Sequence, residues 1–63
     1  MTIKDFKTSN QAILNIADDE ITVTNKFGDT YRGRLENGKV VAKTAKALSY
    51  LTQAHDEFKM LNN

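Results

Sequence analysis

The sequence predicts a small α+β domain: an antiparallel β-meander of three or four strands with one C-terminal amphipathic helix packed on one face. Three observations predict it. Residues 25–44 carry two turn signals, Lys26-Phe27-Gly28 and Asn37-Gly38. The registers those turns impose agree on a single apolar face. After Thr44 the apolar residues change from the period of a strand to that of a helix.

The first turn lies between ITVTN and DTYRGRL. A three-residue hairpin loop wants positive φ at its last position, which Gly28 adopts without steric cost. Closing it pairs Asn25 with Asp29, Val23 with Tyr31 and Ile21 with Gly33. Asn37-Gly38, at the centre of Glu36–Lys39, is the signal for a two-residue hairpin. It pairs Leu35 with Val40, Gly33 with Ala42 and Tyr31 with Thr44. Paired residues share a face. One face therefore holds Ile21, Val23, Tyr31, Gly33, Leu35, Val40 and Ala42. The other holds Glu20, Thr22, Thr24, Thr30, Arg32, Arg34, Glu36, Lys39, Val41 and Lys43. Gly33 then faces the core, where the missing side chain lets the small Ala47 or Ala54 approach the sheet.

Beyond the second hairpin, Ala47, Leu51, Ala54, Phe58 and Leu61 recur at helical spacing, and Leu48 and His55 widen the stripe. Thr44 is placed to cap a helix running from about Ala45 to about Leu61, and the terminal Asn62-Asn63 adds no helix-forming drive. This helix is expected over the apolar face of the sheet.

The N-terminal third reads two ways. QAILNIA can be a strand that turns through Asp18-Asp19, setting Ile16 against Ile21 and Leu14 against Val23. It can also be a short helix, since Thr8 with Gln11 resembles a capping box and Ile13 would be exposed in a strand. The carboxylates of Asp18, Asp19 and Glu20 sit badly at a helix C-terminus, which favours the strand. Met1 to Lys7 either anchors Ile3 and Phe6 at an open end of the core or frays, fraying extending over residues 1–10. The division expected is thus one domain over residues 1–63, with sheet over about 11–43 and helix over about 45–61.

Composition narrows the function. A chain of 63 residues buries only about 60% of its unfolded surface, and without cysteine neither disulfides nor thiolate metal sites can reinforce it. Oligomerisation is one remedy for so small a core, and Tyr50 and Met60, flanking the helix stripe, are candidate contacts or cover the sheet's rim. No segment is apolar and long enough to span a membrane, and the first residues lack a signal peptide's apolar run, so a cytoplasmic location is expected.

Catalytic chemistry has little to work with. His55, the one histidine, neighbours Asp56 and Glu57, but adjacent helix residues point in different directions and share no site. A metal would need several convergent ligands, and no second histidine or cysteine exists to supply them. Ser9 and Ser49 lack a base. Asp18-Asp19-Glu20 lacks the ligand spacing of a calcium loop. The three glycines already serve hairpins rather than a phosphate loop. The chain reads as a non-enzyme without cofactor or metal.

Surface recognition remains. Arg32 and Arg34 project from one face, with Lys43 across the strand, Lys39 near the turn and Lys46 on the first helical turn. Between residues 32 and 46 five basic residues face one acidic one, Glu36, although the chain carries only +1. Such a concentration draws phosphates or an acidic protein surface. Against nucleic acid stand Glu20 opposite Arg34, the lack of a stacking aromatic on that face, and the small net charge. Edge lysines also serve simply to discourage aggregation. Phe27, at a hairpin tip, either folds back over the sheet end or enters a partner's pocket.

An aromatic beside arginines is a common binding hot spot. Phe27, Arg32, Arg34 and Tyr50 are therefore the expected contacts to a protein partner, the chain acting as a small regulator or inhibitor. Arg32, Arg34, Lys39, Lys43 and Lys46 are the set for the alternative, a nucleic-acid-binding accessory. A self-assembling structural subunit is the third reading. The string FGDTYRGRL resembles the second strand of Sm-like RNA-binding barrels over nine residues of the 63. The helix that follows leaves no room for the last two barrel strands, so neither that family nor its RNA site is carried over.

Overall fold

The computed structural model describes residues 2–61, and the expectations for Met1 and for Asn62-Asn63 lie outside them. Five strands precede one helix: β1 (Thr2–Lys7), β2 (Ile13–Ala17), β3 (Glu20–Thr24), β4 (Thr30–Glu36), β5 (Lys39–Val41) and α1 (Ala45–Leu61). The strands form one antiparallel sheet in the order β1-β2-β3-β4-β5. The fold is α+β as expected, with five strands rather than three or four.

The additional strand is β1, where the expectation was either fraying or an anchor of Ile3 and Phe6 against the core; the anchor holds, and it is part of a strand. Ile3 and Phe6 are three residues apart, a spacing that puts them on opposite faces of a regular strand. A bulge reconciles them. Ile3 pairs with Ile16 and Phe6 with Leu14, so that Lys4 and Asp5 together oppose Asn15. Asp5 takes φ 55°, and its N–H donates to Asn15 Oδ1 at 2.9 Å. Both apolar side chains then reach the core.

β2 is a strand, with Ile16 against Ile21 and Leu14 against Val23. The turn into β3 uses Asp18 at φ 57°. Thr8 and Gln11 do cooperate, but as a tight loop between β1 and β2 rather than as a helix cap.

The β3–β4 register is Ile21 with Gly33 and Val23 with Tyr31. In the second hairpin Leu35 faces Val40, with Asn37 and Gly38 at φ 55° and 80°. The expected continuation, Gly33 with Ala42 and Tyr31 with Thr44, does not form because β5 ends at Val41. The chain there turns inward and passes over Gly33. A Cβ on Gly33 would stand 2.6 Å from the Val41 carbonyl oxygen and 2.7 Å from Leu51 Cδ1. The close approach is thus made by Leu51 and the Val41 main chain, in place of Ala47 or Ala54.

Thr44 caps α1: its Oγ1 accepts from Ala47 N–H at 3.1 Å and its carbonyl from Leu48 N–H at 3.0 Å. The helix lies over the sheet's apolar face. Its first turns stand above β4, where Tyr50 stacks on Tyr31 at 4.7 Å and 5°. Its last turns reach β1, where the Phe58 ring meets Phe6 edge-on at 5.2 Å. Between them Leu14, Ile16, Ile21, Val23 and Leu51 are almost wholly buried.

Candidate interaction site

The end of the sheet opposite the Asn37-Gly38 hairpin gathers two loops and one face of α1 around a cleft. The first loop is Lys26-Phe27-Gly28. Asn25 organises it: its Oδ1 accepts from the N–H groups of Phe27 and Asp29, each at 2.9 Å. Its own N–H donates to the Asp29 carbonyl at 2.9 Å, and Gly28, at φ 90°, donates to the Asn25 carbonyl at 3.0 Å. A loop bonded this way holds its tip residue in place. Phe27 is that residue, and it is 79% exposed. Its ring carries Lys26 Nζ 5.3 Å from the centroid.

The second loop joins β1 to β2. Thr8, which is buried, donates its N–H to the Ala12 carbonyl at 2.8 Å and accepts the Ala12 N–H on Oγ1 at 3.1 Å. Gln11, at φ 64°, donates to the Thr8 carbonyl. Helix α1 grips this loop through Glu57: the Ser9 N–H donates to Oε1 at 2.7 Å and Ser9 Oγ to Oε2 at 3.3 Å.

The cleft between them measures about 370 Å³. Buried Val23 and Ala54 line it, and Phe27 and Tyr50 contribute aromatic walls. Asn10, Gln11, Asn25 and Gln53 surround it with amides, while Lys26 and Glu57 bring one charge of each sign. Apolar lining among amide donors and acceptors suits a side chain presented by a polypeptide. Among the described residues no group of three or more His, Asp or Glu converges as a metal site would require.

The four residues expected to meet a protein partner fall on two surfaces. Phe27 and Tyr50, separated by β3 and β4 in the chain, line the same cleft. Arg32 and Arg34 alternate with inward-facing Tyr31 and Gly33, so they project from the face away from the helix. Arg34 is tied to Asp19 at 2.9 Å, not to Glu20 as cross-strand pairing suggested. Their hydrogen bond and mutual attraction hold the Asp19 carboxyl below its usual range and push the Arg34 guanidinium up. Both ends of that pair are exposed, where such pairs contribute little to stability. Arg32 makes no ion pair among the described residues.

The lysines disperse further. Lys39 faces Glu36 across the hairpin. Lys43 lies beyond β5, so no register holds it across from Arg32. Lys46 stands on the helix side, with Nζ 6.0 Å from the Tyr31 ring centroid. Sequence reasoning missed Ser9, Gln53 and Glu57, and nothing local marks them. Ser9 and Glu57 are 48 residues apart.

Comparison with known proteins returns no match: no family model, curated protein or solved structure is significantly similar to this chain. The geometry of the site carries the functional reading alone.

Proposed function

We propose that this chain is a non-enzymatic interaction module, a small regulator or inhibitor that binds a protein partner through Phe27, Tyr50 and the cleft between them. The observation that carries the reading is Phe27. A large apolar side chain stands 79% exposed on a loop pinned by the hydrogen bonds of Asn25. With its main chain already held, such an aromatic has only its side-chain torsions left to order on binding, which suits an anchor. No helix among the described residues is long and apolar enough to cross a membrane, and the reading places the module in the cytoplasm.

The test compares affinity capture from host extract by the wild-type chain with capture by Phe27→Ala and by Arg32→Ala/Arg34→Ala. A specific protein lost with Phe27→Ala and retained, with modest salt effect, by the arginine variant supports the reading. A flat response to Phe27→Ala sinks it.

A nucleic-acid accessory is the second reading, and Arg32, exposed beside Arg34 and without an ion pair among the described residues, favours it. Titration of single- and double-stranded RNA and DNA at about 50 and about 200 mM salt decides it. Tight binding that weakens steeply with salt and disappears in the arginine variant would move the active surface to the outer sheet face. Self-assembly, the third reading, predicts stability that rises with protomer concentration.

A further inference from the structure

The open sheet has two edges, and they differ. β1 is six residues long but is interrupted by the Lys4-Asp5 bulge and studded with Lys4, Asp5 and Lys7. Bulges and charges of this kind keep a free strand from pairing. The other edge is composite. β5 covers β4 only from Arg34 to Glu36, because the chain turns inward at Val41 to cross Gly33.

What remains uncovered is the start of β4. Two hydrogen bonds set the parity of the β3–β4 ladder: Leu35 N–H to the Asp19 carbonyl at 2.7 Å, and Asn25 N–H to the Asp29 carbonyl at 2.9 Å. Odd-numbered positions of β4 therefore bond to β3, and the even-numbered Thr30 and Arg32 turn their N–H and C=O groups the opposite way. Among the described residues no main-chain bond reaches those groups from the connector between β5 and α1. Both residues are exposed. Nothing comparable to the β1 bulge protects them.

The charge around this edge has one sign. From Asn37 to His55 the chain carries Lys39, Lys43 and Lys46 and no carboxylate. Arg32 flanks the edge on the outer face, and Lys46, near the Tyr31 ring, flanks it on the helix side. The nearest carboxylate in sequence, Asp29, is turned to Asn25 Nδ2 at 3.4 Å within the loop.

We propose that the free edge of β4 at Thr30–Arg32 receives an extended acidic segment of a protein partner as a sixth strand. This rests on the protein-partner reading and names the kind of partner. Main-chain hydrogen bonds to Thr30 and Arg32 supply the attachment, and alternate side chains of the incoming strand supply selectivity. Those on one face meet Arg32. Those on the other meet Lys46 and the stacked Tyr31–Tyr50 pair.

The test titrates the ¹⁵N-labelled protein with a short peptide alternating valine and glutamate, and with a control alternating valine and lysine. The acidic peptide is expected to shift the amide resonances of Thr30 and Arg32 and slow their hydrogen exchange, and the basic one to do neither. Thr30→Pro removes an outward donor while keeping every cation, and should weaken binding about tenfold or more. Lys43→Glu/Lys46→Glu should do the same and leaves the sheet backbone untouched, which keeps the test decisive if the proline variant does not fold. Absence of binding at about 1 mM overturns the proposal. So does binding that perturbs Asn10, Phe27 and Gln53 instead, although the protein-partner reading then stands and is judged by Phe27→Ala. Slow exchange at Thr30 and Arg32 in the free protein that depends on protein concentration would assign the edge to a second copy, and overturns it too.

Discussion

Single side chains in this molecule act mainly by the space they occupy or leave. Gly33 leaves room for the chain to cross β4 on its way to the helix, with the Val41 carbonyl and Leu51 closing on it from above. Filling that room forces backbone, not only a flexible side chain, to move. Gly33→Ala should lower unfolding free energy by about 1–3 kcal/mol, and Gly33→Val by more, as read by chemical denaturation. His55 shows the opposite case, a titratable ring that is only 7% exposed. Burial first, and then the nearby Lys59, push its pKa below the usual histidine value, with Asp56 opposing. The unfolded chain takes up a proton near pH 6.5 while the folded one resists it. The contribution is therefore complete above about pH 6.5 and is lost as pH falls towards the folded value. Melting temperature should decline as pH falls below about 6.5 in the wild type, and decline less in His55→Gln.

Elements differ in how openly the sequence announces them. The registers of β2, β3 and β4 follow from turn chemistry plus alternation, because Gly28 and Asn37-Gly38 each admit few loop geometries. Helix α1 was equally legible from its period and from Thr44. The cap is a local device, so Thr44→Ala should remove about 1 kcal/mol without altering the sheet, measurable as a loss of stability at unchanged helical circular dichroism. β1 was hidden because its bulge breaks the strand period between Ile3 and Phe6, and only the pairing with Asn15 reveals why. β5 was overextended for a related reason. Alternation continues on paper through Ala42 and Thr44, but the helix needs the chain on the inner side of Gly33. The cleft itself was not legible: the sequence groups Phe27 with Arg32 and Arg34, and sets Tyr50 as a contact on the helix flank. What joins Phe27 and Tyr50, like Glu57 gripping Ser9, is long-range and leaves no local sign.

At the scale of the whole molecule, the strand order equals the chain order. Every ladder joins neighbours in sequence, so assembling the sheet requires closing only short loops. The chain also has no proline, which removes the commonest source of slow phases. Refolding followed by stopped-flow fluorescence of the tyrosines should be a single exponential completed within about a second, and a phase lasting tens of seconds would contradict it. A closure of long sequence separation brings β1 and its loop to the end of α1, through Phe6 with Phe58 and Ser9 with Glu57. A joint that must wait for the rest of the sheet is assembled last and is the first to give way. Amides of the loop at Thr8–Ala12 would then exchange ahead of those in β3, and the Glu57 grip would set how often the cleft opens.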